Sequence, residues 1–121
     1  MTAAVPFDIG DTNTRAGDRT TITDVHGTRG DFGIGGIYTV RGEYTLATAD
    51  EATLAFNVTA IEQGEGCTYG NGRGSTHVLR GSGTFELANS IPYRGHPHVT
   101  FYIKGEGSGG VYFGKGDFLQ R

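Results

Sequence analysis

Tryptophan is absent from this 121-residue chain, cysteine occurs once and proline three times. With Cys67 alone, no internal disulfide can form, which suits a reducing compartment. So few prolines exclude a collagen-like or polyproline chain. No apolar run approaches the ~20 residues of a membrane-spanning helix. The opening segment MTAAVPFDIGDTN has neither the basic start nor the apolar stretch of a secretory leader. The chain therefore reads as soluble. Charge of one sign is also missing: 10 Lys and Arg stand against 13 Asp and Glu, a net charge of -3. The basic residues are scattered singly, so the phosphate-binding face of a nucleic-acid partner is not expected.

What the chain has in excess is glycine, 22 residues against a usual share of about 7%. Glycine collects where the backbone turns or takes a positive φ, so many glycines in a short chain mean many turns and short strands. The length fits one domain, residues 1–121, able to bury roughly two-thirds of its unfolded surface. Its core must come from 7 Phe, 6 Tyr and scattered aliphatic residues.

Two-residue alternation dominates. Residues 37–46 set Tyr38, Val40, Tyr44 and Leu46 on one face; residues 53–60 do the same with Leu54, Phe56, Val58 and Ala60. Between them 47–52 reads as a short connection with Asp50 and Glu51 at its tip. Further strands are expected at 20–26, 76–80, 83–88, 98–104 and 111–113, with an eighth at 117–119. In 98–104, Val99, Phe101 and Ile103 point inward, and His98, Thr100 and Tyr102 outward. No segment carries a helical stripe. The expected fold is all-β: an antiparallel two-sheet sandwich or jelly roll of seven or eight strands, or a small closed barrel.

The Gly-rich segments 63–75 and 104–110 read as loops, and 89–97 as a loop held by its prolines. Several constellations carry chemistry. His96 and His98, spaced by two on an extended segment, can point the same way; with His77 they would make a three-histidine site for zinc, copper or iron. Otherwise they sit on a solvent face beside a turn. Asp8, Asp11 and Asn13 around Gly10 offer alternating oxygens for a structural calcium, or form a plain Asx-rich turn. The glycines of 70–75 do not open a helix, so they are not a phosphate cradle. Cys67 has no neighbour that would activate it as a nucleophile. Tyr69 and Tyr112 fall on loops or on the face opposite the apolar one. Tyr93, Arg94, His96, His98 and Tyr102 together would form an aromatic and polar patch able to hold a ligand.

The segments GGIYTVRGEYTLATADEATLAFNVTA (35–60) and PHVTFYIKG (97–105) resemble the small bacterial β-sandwich modules appended to larger proteins, of which carbohydrate-binding modules are an example. The resemblance implies a sandwich and a non-catalytic role in binding a glycan or protein partner, with no cofactor. A self-assembling β subunit, forming homo-oligomers, and a jelly-roll metalloenzyme on the histidine cluster are the alternatives, because such folds host all three.

Overall fold

The computed structural model describes residues 3–60 and 74–119. It is an all-β structure, with no α-helix among the described residues. Seven strands follow in chain order: β1 (Ala3–Ala4), β2 (Asp8–Asn13), β3 (Arg19–Gly27), β4 (Ile37–Ala60), β5 (Ser75–Ser90), β6 (Gly95–Ile103) and β7 (Glu106–Gly114). All pairings are antiparallel, in the order β1-β3-β4-β6-β7-β2, with β5 on the remaining edge of β4. The result is one continuous sheet curled into a half-barrel, not the pair of separate sheets expected from the alternation.

The two strongest alternating segments are a single strand. The stretch 47–52 does not turn; it continues β4 through a bend. Leu46 pairs with Gly81 and Glu51 with Leu79, so residues 47–50 form a bulge opposite Arg80. A bulge bends its strand and leaves backbone groups outside the ladder. Asp18 takes up two of them: its carboxylate accepts from the amides of Ala47 at 2.8 Å and Thr48 at 3.1 Å, and from the Thr48 hydroxyl at 2.7 Å. Next to Arg80 on β5, Gly81, the partner of Leu46, takes φ +123°, a conformation that residues with side chains rarely adopt. The same kink flips the alternation of β5, so that Val78 faces inward before it and Phe85 and Leu87 after it.

Because β4 is bent, its first half pairs with β3 and its second half with β6, while β5 runs along the other edge of both. The inner surface of the curl is the core. Tyr38, Val40, Leu54, Phe56 and Phe101 are fully buried there, and Ile103 packs against them partly buried. Phe32 stacks on Tyr38 at 5.3 Å and meets Phe113 edge-on at 6.2 Å, and Phe113 lies 5.5 Å from Phe56.

Further expectations change: 76–80 and 83–88 are one strand, β5, and 106–110, read as loop, begin β7. Residues 8–13 are strand β2, joined to β7 by backbone pairing. They form no Asx-rich turn, and Asp8 is 3.4 Å from Lys115. Residues 117–119 are not a strand: Gly116–Phe118 is a short 3-10 helix, entered through Gly114 and Gly116, both at positive φ.

Candidate functional site

The bend in β4 has a consequence on the outer surface. It lifts residues 47–50 away from β5 and opens a groove of about 870 Å³ between the bend and the tip of the β6–β7 hairpin. That hairpin closes on Lys104 and Gly105, at φ +53° and +82°, as expected of a two-residue turn that follows the twist of its strands. The connection from β2 to β3 brings Arg15 to the same groove.

Sheet register sets the floor. Thr53 pairs with His77 on β5 and with Tyr102 on β6, so the three stand in one row across the sheet. The Tyr102 hydroxyl accepts from the Asn57 side-chain amide at 3.2 Å. On the β5 side, His77 lies 3.3 Å from Glu51, and the Arg80 guanidinium meets one Asp50 oxygen at 3.2 and 3.0 Å. Lys104 and Glu106 complete the opposite rim.

Beyond the groove, the outer face of β4 and β6 carries a buried polar layer. His98 is 6% exposed and Asn57 1%, although both point away from the core. The His98 ring lies 4.9 Å from that of Tyr112, and its Nδ1 is 2.6 Å from the Thr100 hydroxyl. Burial pushes the His98 imidazole down to about 4, so it is neutral at physiological pH. Burial also lowers His96, less strongly.

The structure does not gather the five expected ligand residues into one patch. Tyr102 lines the groove, whereas His98 is buried in the polar layer. Tyr93 packs against the core and donates its hydroxyl to the Val58 carbonyl at 2.9 Å. Arg94 faces the 3-10 helix, 3.8 Å from Asp117. The three-histidine arrangement does not form either. His77 pairs at Thr53, but His98 and His96 pair at Asn57 and Thr59 on the far side of β4. Four residues of strand and two interstrand spacings put His77 roughly 16 Å from His98. The described residues hold no group of three or more His, Cys, Asp or Glu side chains suited to a metal. Asp8, Asp11 and Asn13 lie along an extended strand, not around an ion-sized loop. Cys67, Tyr69 and most of the glycine-rich 70–75 segment lie outside the described residues.

No family model, curated protein or solved structure matches this chain. Arg15, Arg80 and Lys104 belong to the groove and were not singled out from sequence. Lys104-Gly105 is a recognisable hairpin-turn pair, but the role of Arg80 depends on the bulge in β4, which alternation alone does not reveal. Together the lining offers hydrogen-bond donors, carboxylate acceptors and one aromatic ring in an open, polar trough.

Proposed function

We propose that this domain is a non-catalytic binding module whose outer groove takes a glycan. The observation that carries this reading is the placing of the Tyr102 ring beside walls that hold both guanidinium or ammonium donors and carboxylate acceptors. A sugar ring presents an apolar face to an aromatic side chain and a rim of hydroxyls that donate and accept. The pattern resemblance to bacterial carbohydrate-binding modules points the same way. In this reading the two arms of the bent β4–β5 pair serve as the layers of a sandwich. Affinity electrophoresis through gels containing polysaccharides tests it. Retardation that is lost in Tyr102→Ala and kept in Tyr102→Phe supports ring stacking. Migration unaffected by every polysaccharide sinks the reading.

A second reading, assembly with further copies of this chain, is favoured by β5. This strand of 16 residues pairs only with β4, so its other edge has no strand partner among the described residues. It contains neither proline nor lysine, its charged residues being Arg80 and Glu86, and Leu79 on it is 62% exposed. Light scattering over a range of concentrations separates the readings. A dimer or larger species that dissociates in Thr84→Lys supports assembly, and a monomer throughout removes it.

A further inference from the structure

Building on the glycan reading, we propose that the groove selects an uncharged, hydroxyl-rich chain, and that Lys104 contacts this chain at the rim. Three carboxylates, Asp50, Glu51 and Glu106, line the groove alongside three fixed cations, Arg15, Arg80 and Lys104. These charges cancel, so the groove presents no net field to draw in a polyanion or a polycation. The net charge of -3 on the whole chain further disfavours a polyanion. A hydroxyl is suited to such walls because it donates to a carboxylate and accepts from a guanidinium or ammonium group. A run of uronic acids would instead set like charge against one of the three carboxylates at some point along the trough.

Lys104 is the only described residue other than glycine with a positive φ. Glycine or asparagine would hold this turn with less strain. Yet a long cationic side chain stands here, exposed on the groove's rim, and no ion pair among the described residues engages it. Backbone strain of this kind collects where a particular side chain is needed at a binding surface.

The test uses the full chain in native gels containing a neutral polysaccharide (xylan or glucomannan), polygalacturonate or chitosan. The expected result is retardation by a neutral polymer that is unchanged between low and high salt. In Lys104→Gly that binding should weaken roughly tenfold, the loss of one charge-assisted hydrogen bond, while thermal stability is unchanged or higher. Stronger, salt-sensitive retardation by polygalacturonate or chitosan overturns the charge argument but leaves the glycan reading standing. Full binding by Lys104→Gly overturns the role of Lys104. No retardation by any of the polymers overturns the glycan reading itself.

Discussion

The carboxylate of Asp18 sits 2.8 Å from the amide of Ala47, where β4 leaves its ladder with β5. Asp18 is 7% exposed, and its second oxygen accepts from the Thr48 hydroxyl at 2.7 Å. One side chain thus replaces the strand partner that the bulge removes, and it fixes the bend that opens the groove. Asp18→Ala leaves these amides without acceptors in a half-buried site. The expected cost is about 3 kcal/mol, read as a lower urea midpoint, because hydrogen bonds to a charged group are worth ~1.5–3 kcal/mol. Asp18→Asn keeps one acceptor oxygen and should lose less. A wild-type midpoint in Asp18→Ala would mean that the bend holds itself.

Tyr38 anchors the segment that leads into β4. Its hydroxyl accepts from the Gly33 amide at 2.8 Å and donates to the Asp31 carbonyl at 2.6 Å, while its ring fills the core. Tyr38→Phe keeps the ring and removes both bonds. The expected loss is about 1–2 kcal/mol, with faster amide exchange confined to residues 31–36. Exchange that rises equally across the sheet would show that the hydroxyl contributes to global stability and not to this local anchor.

The inner face of the fold was legible in the sequence because a two-residue period identifies buried positions without knowledge of partners. Tyr38, Val40, Leu54 and Phe56 all lie where that period puts them. The connectivity was not legible. Residues 47–52 are small and acidic, the composition of a turn, and partners distant in sequence, Asp18, Arg80 and the ladder with β5, keep them in the strand. Strand β2 has the sequence DIGDTN, poor in strand-forming residues, and is a strand because β7 supplies its backbone partners. The site suffered from the same blindness. Alternation put His98 on the outer face and assumed that this face was wet, whereas the imidazole, 4.9 Å from the Tyr112 ring, is buried.

Gly42 lies on the inner face of β4, beside the irregularity between Ile22 and Asp24 of β3. A methyl group there would stand 2.0 Å from the Thr21 carbonyl oxygen and 2.7 Å from the Phe85 ring. Backbone cannot yield as a flexible side chain can, so Gly42→Ala should cost at least the ~1–3 kcal/mol typical of overpacking. Gly30, with nothing within 4 Å of the same added atom, is the control. Gly30→Ala should leave the thermal midpoint nearly unchanged. Equal losses in the two variants would mean that the close contacts at Gly42 are not the source of the effect, because Gly→Ala acts on the unfolded chain in the stabilising direction.

The burial of His98 makes stability depend on pH in a stated direction. Its ordinary value of 6.5 falls to about 4 in the fold, so between these limits the unfolded chain binds the proton and the folded chain does not. Stability from this residue is therefore fully present above pH 6.5 and declines as pH falls toward 4. At ~1.4 kcal/mol per pH unit, the contribution is on the order of 3 kcal/mol at most. Urea midpoints measured for wild type and His98→Gln between neutral and mildly acid pH give the difference attributable to this site. The wild-type curve should fall more steeply on acidification, and the ring protons of His98 should not titrate near neutrality. Parallel curves would mean that the imidazole is reached by water and already shares the protonation of an exposed histidine.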